Sequence, residues 1–343
     1  MPEPIRITLA TLTSVIRRAL DDAGVPADIA AIEADVMAEA DLFGVPSHGV
    51  AMLPRLLAGL GDGRITRAPR LEIRRQQGAT SVLDGDNGPG RFVSVRAMRR
   101  AVASARVSGI GACLAVRTTH WGRAHAYAWR AAKAGVIGWC TTNAIPTMLS
   151  GAPGSARLGN NPMAIGVPRA GSADPVVLDL AMSQVALGQV ANRRRGGRPA
   201  PTGWGVDGDG QPTNDPAAIL SGGSLLPMGG YKGVGLAVMM ELLTGALSGG
   251  LLGHEIVKAD STGTDPDATK LFVAIDPGAF AGPDVQWRKT EDLIAYLHAS
   301  GGAESILVPG ERGWRAREEH LAHGIPIHPE VVEQLSAGGV RLA

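Results

Sequence analysis

The chain has 343 residues, enough for two or three structural units around a sizeable core, and 45% of them are hydrophobic. A net charge of +1, with 33 basic and 32 acidic residues mixed along the chain, creates no global field for nucleic acid or an anionic membrane, so small molecules and copies of the chain itself are the expected partners. Cys113 and Cys140 each sit in an apolar stretch and read as buried small hydrophobes of a reducing compartment, not as a disulfide framework.

The first eight residues carry Glu3 and Arg6 and have no apolar core, so a cytoplasmic location is expected rather than secretion. Leu9, Leu12, Val15, Ile16 and Leu20 recur at helical spacing until Gly24 and Pro26. A second helix is expected from about Asp28, with Ile29, Ile32, Val36 and Met37 inward, and a third, short one around Ser47 to Leu60. Residues 1–75 therefore read as a mainly helical part, and residues 76–343 as an α/β body. Ser81 to Asp84 predicts a strand, followed by turn-rich Gly85 to Gly90 and an alanine-rich helix to about Ser108. Further strands are expected at Cys113–Thr119, Val136–Thr142, Met163–Val167, Val176–Leu180 and Leu271–Ile275, with helices at Ala124–Ala134 and Val234–Leu247. The apolar tract Val234 to Leu252 is interrupted by Glu241 and glycines, which suggests a buried helix and its exit, not a membrane span. Between Asn192 and Pro227 only loops and one short helix, Pro216–Leu220, are read. No strand is followed by the glycine-rich turn of a Rossmann unit and no phosphate loop occurs, so a dinucleotide would need another scaffold.

Three clusters join titratable groups with glycine. Ser47-His48-Gly49 sits at a helix start, where free N–H groups favour anions, and equally suits a cap with a surface histidine. His120, within Thr119-His120-Trp121-Gly122-Arg123, follows a strand end, where side chains face ligand clefts and an imidazole suits proton transfer; packing against Trp121 is the other reading. Gly229-Gly230-Tyr231-Lys232-Gly233 precedes the apolar helix, either presenting Lys232 to an anion or simply turning into the helix. His320 and His323 share a helix face without a third ligand, and His254-Glu255 lacks the second histidine of a zinc motif, so no metal is expected. Arg193 to Arg195 with Arg198 reads as a solvated loop, or as a grip on a cofactor phosphate.

The ordered series of Asp41-Leu42-Phe43-Gly44-Val45-Pro46-Ser47-His48-Gly49-Val50, Thr118-Thr119-His120-Trp121-Gly122 and Leu158-Gly159-Asn160-Asn161-Pro162 resembles the malate/L-lactate dehydrogenase-like oxidoreductases. It continues through Leu178-Asp179-Leu180-Ala181-Met182-Ser183, Pro201-Thr202-Gly203-Trp204, Gly229-Gly230-Tyr231-Lys232-Gly233 and Val308-Pro309-Gly310-Glu311, so the likeness runs from about Asp41 to Pro326. That resemblance implies a non-Rossmann nicotinamide-binding α/β fold with a helical N-terminal part, a cofactor lobe mainly within residues 121–225, and a homodimer with its active site near the subunit interface. It implies a hydride transfer between NAD or NADP and a small 2-hydroxy or 2-oxo acid, with His120 as general acid and base and Ser47 and His48 lining the substrate pocket. Cofactor contacts are implied at Asn143, Asn161, Asp179, Leu180, Ala181, Ser183, Lys232, Gly233, Pro309, Gly310 and Glu311.

The departures bear on the substrate. Many members of the family carry an arginine where this chain has Met52, placed to hold a substrate carboxylate. Arg55, one turn on, or Arg123 or His125 just after the His120 segment, would have to replace it, or the substrate differs; a small 2-oxo or cyclic imino acid other than ordinary malate or lactate is expected. The alternatives are an imine reductase, a nucleotide-binding homologue without turnover and, more distantly, a metal-dependent lyase using His48 and His120.

Overall fold

The computed structural model describes residues 3–151, 156–171, 173–256, 265–299 and 306–342. The expected N-terminal helices form. Leu9–Asp22, capped by the Thr8 hydroxyl, buries Leu12, Val15, Ile16 and Leu20, and each such side chain contributes roughly 1.5–3 kcal/mol when fully removed from water. The second, Ala27–Leu42, starts after Pro26, so Asp28 falls in its first turn, where a carboxylate suits the helix dipole, rather than at the cap. It carries two buried carboxylates, Glu33 and Asp41, about two turns apart on one side.

The helix expected over Ser47 to Leu60 is broken into two 3-10 turns, Pro46–His48 and Val50–Met52, before Leu53–Gly61. Asp41 causes the break: its carboxylate accepts the Val50 N–H at 2.7 Å and lies where a Cβ on Gly49 would be, only 2.2 Å away.

Seven strands form the main sheet in the order Glu72–Gln77, Thr80–Gly88, Ile110–Thr118, Ala268–Ile275, Ile137–Thr142, Met163–Val167, Val176–Leu180. Thr80–Gly88 and Ile110–Thr118 run parallel, linked by helix Gly90–Ser108; all other neighbours are antiparallel. Strand Glu72–Gln77 escaped the sequence reading because it is exposed along its whole length and shows no alternation. Alternation across the sheet separates two cores. Cys140 and Ala164 join the main core under helices Gly90–Ser108 and His125–Lys133, whereas Trp139 and Met163 pack with Met148, Met182, Ala237 and Met240.

A second sheet, in the order Pro212–Thr213, Gly205–Val206, Ser224–Leu225, Pro146–Leu149, Ala156–Gly159, occupies much of the region read as loops. Its two-residue strands are too short for a periodic signal, and helix Leu187–Arg195 also runs past Asn192. Strand Ile5–Ile7 pairs with Ile325–Ile327, and helices Glu311–His323 and Pro329–Ala337 return to the N-terminal helices.

The expectation of a buried helix after Val234 is corrected. Helix Tyr231–Glu241, continued by a π turn over Leu242–Ala246, leaves Leu236, Val238, Met239, Leu242 and Leu247 exposed, because no element among the described residues covers its outer face. Among the described residues no helix is long and apolar enough to cross a membrane.

Candidate active site

Strand Ile110–Thr118 delivers His120 to the edge of a cleft of about 420 Å³, a size suited to a small ligand and part of a cofactor. The approach is tight. A Cβ at Gly90, the first residue of helix Gly90–Ser108, would lie 2.4 Å from the His120 carbonyl oxygen, so only glycine lets that helix start there. Gly122, at φ +76°, turns its N–H onto His120 Nδ1 at 3.1 Å, which places the ring proton on Nε2.

Facing His120, the His48 ring is stacked at 6.1 Å between centroids and 24° between planes, and its Nδ1 is 3.0 Å from the Ser47 hydroxyl. Both imidazoles are held neutral. Burial pulls His48 down to about 4, with Asp179 opposing and Arg123 and Arg91 assisting; burial, then Arg91, His48, Lys270 and Arg55, keeps His120 well below the usual histidine range. Behind them the buried Arg91–Glu33 pair, 3.3 Å apart, anchors the start of helix Gly90–Ser108, and Arg91 also reaches the His48 carbonyl.

The cleft gathers Ser47, His48, Met52, Arg55, His120 and Asn143. Arg55 has no hydrogen bond or ion pair among the described residues, whereas Arg123 donates to Asp179 at 3.0 Å and does not line the cleft. His125 lies behind them, buried 4.9 Å from the Phe43 ring. Asn143 and Asn161 act as ties. Asn143 bonds the Leu251 carbonyl and Thr269 N–H; Asn161 bonds the Ala144 N–H, the Ala237 carbonyl and Glu241. Ser183 forms an isolated bridge with Pro227, and Gly233 lies so close to the Met182 carbonyl that a Cβ would come within 2.6 Å, so these two segments meet beyond the edge strand that carries Asp179 and Leu180, with Ala181 next in line. Lys232 is exposed. Pro309 accepts the Val177 N–H at 3.1 Å, Gly310 follows at φ +106°, and Glu311 pairs with His298 at 2.7 Å; none of the three lines the cleft. His320 binds the Leu42 carbonyl at 2.9 Å.

Several lining groups were not singled out from the sequence. Lys270, Asp265, Thr147 and Gly188 are among them, while Arg194, from the run Arg193–Arg195 read as a solvated loop or a phosphate grip, also lines the cleft. One of them had a visible signal: Lys270 is the one charged residue inside the mostly apolar strand Ala268–Ile275. Helix Leu187–Arg195 is too polar to show an inward stripe, yet its start lies in the cleft; Ala186 gives no side-chain cap, so first-turn N–H groups are left to a ligand.

Two stacked imidazoles, an arginine without a partner among the described residues and an uncapped helix start thus share one cleft. The chain matches the family model of malate/L-lactate dehydrogenase over residues 7–336 and belongs to that family, whose members are dehydrogenases and reductases. It is 34% identical to a malate dehydrogenase of Pyrococcus horikoshii over 97% of this chain and 94% of that protein. It is 33% identical to a Delta(1)-pyrroline-2-carboxylate/Delta(1)-piperideine-2-carboxylate reductase of Pseudomonas syringae pv. tomato over 96% and 95%. The solved sulfolactate dehydrogenase of Methanocaldococcus jannaschii superposes with a TM-score of 0.89 at 32% identity, covering 98% of each chain. The chain is therefore an oxidoreductase, of a family that generally uses nicotinamide cofactors.

The residues present fit such a cofactor. Thr147 Oγ1 is buried at the cleft wall without a partner among the described residues, as a carboxamide would require, and the open start of helix Leu187–Arg195 suits an anionic group.

Proposed function

We propose that the chain interconverts a small 2-oxo acid and its 2-hydroxy acid with NAD or NADP bound on this non-Rossmann scaffold, His120 serving as general acid and base. The stacked His48–His120 pair beside unpaired Arg55, in one cleft, carries the reading. A reduced nicotinamide, when bound, supplies a hydride to carbon. The chain's residues do the rest: Arg55 holds the carboxylate, His120 presents Nε2–H to the reacting oxygen, and the Ser47 hydroxyl orients the His48 ring beside it. The Arg123–Asp179 pair favours Arg55 over Arg123 as the substitute for the arginine missing at Met52. The implied cofactor residues, from Asn143 and Asn161 to Pro309-Gly310-Glu311, would then act mostly by shaping the groove, since several of their side chains are engaged within the chain.

A second reading is a cyclic imino acid reductase, favoured by Asp265: a carboxylate sharing the cleft with Arg55 would face a cationic imine nitrogen. The exposed apolar face of helix Tyr231–Glu241 supports a homodimer, and two buried free thiols suit a reducing cytoplasm.

A panel of 2-oxo acids and cyclic imino acids, run with both reduced cofactors, tests the proposal. Cofactor oxidation on at least one such acid is expected, and a clear preference for cyclic imines selects the second reading. Cofactor binding without any oxidation would leave a binding protein, and oxaloacetate or pyruvate as the best substrate would contradict the altered pocket.

A further inference from the structure

One buried ionisable group still has no role. Lys270 stands in the central strand Ala268–Ile275 with 1% of its surface exposed, yet it lines the cleft with His120, Asp265 and Arg55. Its Nζ donates to Thr118 Oγ1 and, at 2.8 Å, to the Thr119 carbonyl; Thr118 Oγ1 is itself committed as a donor to the Ala268 carbonyl at 2.7 Å, so it can only accept from the lysine. The face of Trp121 lies 5.9 Å away. An ammonium has three N–H bonds, and an amine has two and a lone pair. With two protein acceptors in place, the remaining position holds a transferable proton in one state and a lone pair in the other.

His120 has the complementary deficit. Its Nδ1 accepts from Gly122 N–H, so an imidazolium there would set two N–H groups against each other. The ring can offer Nε2–H to a substrate oxygen, but it is poorly placed to enter the reaction carrying an extra proton.

We propose that Lys270 is the second acid–base group of this cleft, the store of the net proton that reduction consumes and oxidation releases. The proposal rests on the reading above, that the reacting oxygen lies at His120, and adds where the proton comes from. In reduction the hydride of a reduced nicotinamide forms the new C–H bond and the carbonyl π pair moves to oxygen. An O–H bond forms; in net terms one Nζ–H bond breaks, leaving Lys270 as the amine and His120 neutral, as it began. Solvent in the cleft returns the proton to Lys270, and oxidation runs the same balance backwards. Among the described residues, the charged and titratable groups that line the cleft with Lys270 are His120 at the end of the neighbouring strand, Asp265 just before its own, Arg55 from helix Leu53–Gly61, His48 and Arg194, with Arg91 behind His120. Burial, opposed by Asp265, lowers the lysine to about 7, which suits a group that must both give and take a proton at neutral pH.

The test compares the wild-type protein with Lys270→Arg, which keeps the charge but does not give it up, and Lys270→Met. In wild type, kcat/KM for reduction should fall above pH of about 7, tending to tenfold per unit, and for oxidation it should rise through the same range. Both variants should lose that limb and about two to four orders of magnitude in turnover, with reduced-cofactor affinity by fluorescence within about threefold. Without cofactor, wild type should gain thermal stability between pH 7 and 9.5 relative to Lys270→Met, because the unfolded chain there binds a proton that the folded lysine has shed. A wild-type profile with no limb between pH 6 and 8.5, parallel melting profiles, or Lys270→Arg turning over within about threefold of wild type would overturn the proposal; the arginine variant decides should the methionine variant not fold. Normal wild-type turnover with an unaffected Lys270→Arg removes the role of Lys270 alone, whereas no wild-type turnover on any acid of the panel removes the reading beneath it as well.

Discussion

Replacing Arg91 by methionine should destabilise the chain much more at pH 8 than at pH 5.5. Arg91 and Glu33 are 2% and 0% exposed and 3.3 Å apart, and Glu33 also accepts the Phe92 N–H at 2.7 Å. Even with the guanidinium present, burial outweighs it and holds the Glu33 carboxyl above its usual range, so the pair is closely balanced. Removing one partner of such a pair costs about 3–5 kcal/mol, because the surviving charge has neither water nor a counter-ion. Glu33 can escape only by taking a proton. Its folded-state pKa then lies further above the unfolded value, so the folded chain binds more protons and stability falls as pH rises through that window. Urea unfolding followed by circular dichroism at both pH values, on Arg91→Met and on Arg91→Met with Glu33→Gln, measures this. The double variant should recover half or more of the loss at pH 8, since glutamine keeps an acceptor for Phe92 without a charge. A loss below about 1 kcal/mol in the single variant, or an equal loss in the double, would refute the buried-charge explanation.

Arg55→Met should lower kcat/KM by roughly 10- to 150-fold, the worth of hydrogen bonds to a charged group of about 1.5–3 kcal/mol. Arg123→Met should raise KM much less, and the opposite ranking in steady-state kinetics would transfer the anchor to Arg123. Burial pushes Asp41 up to about 7, so between pH of about 4 and 7 the folded chain keeps a proton that the unfolded chain has lost, and stability should decline across that window. Asp41→Asn, which still offers an oxygen to Val50, should flatten that decline and melt higher than wild type at pH 8; an unchanged slope in thermal scans would show that another group is responsible.

Periodicity revealed the helix from Leu9, which buries one face, whereas the helix from Ala27 and the central strands, buried on more than one side, were legible as apolar runs bounded by turn residues. It was silent where burial is not periodic: the exposed strand Glu72–Gln77, the two-residue strands of the small sheet, and the outer face of helix Tyr231–Glu241. In the cleft, Ser47, His48 and His120 stood out as candidates because a histidine at a helix start or a strand end suits proton transfer as well as it suits a cap or a packed ring. Lys270 showed only as a lysine out of place in an apolar segment, and its meaning depends on strand Ala268–Ile275 inserting between Ile110–Thr118 and Ile137–Thr142, a pairing between segments more than a hundred residues apart in the chain. Arg123 shows the converse: its position after His120 suggested a substrate contact, and only the fold brings Asp179 against it.

The most direct measurement is turnover by His120→Ala beside a fluorescence titration of the reduced cofactor, on whichever acid the panel selects. Turnover should fall by about two to four orders of magnitude while cofactor affinity stays within about threefold. Turnover within about threefold of wild type, with binding intact, would contradict the placement of the imidazole at the reacting atom.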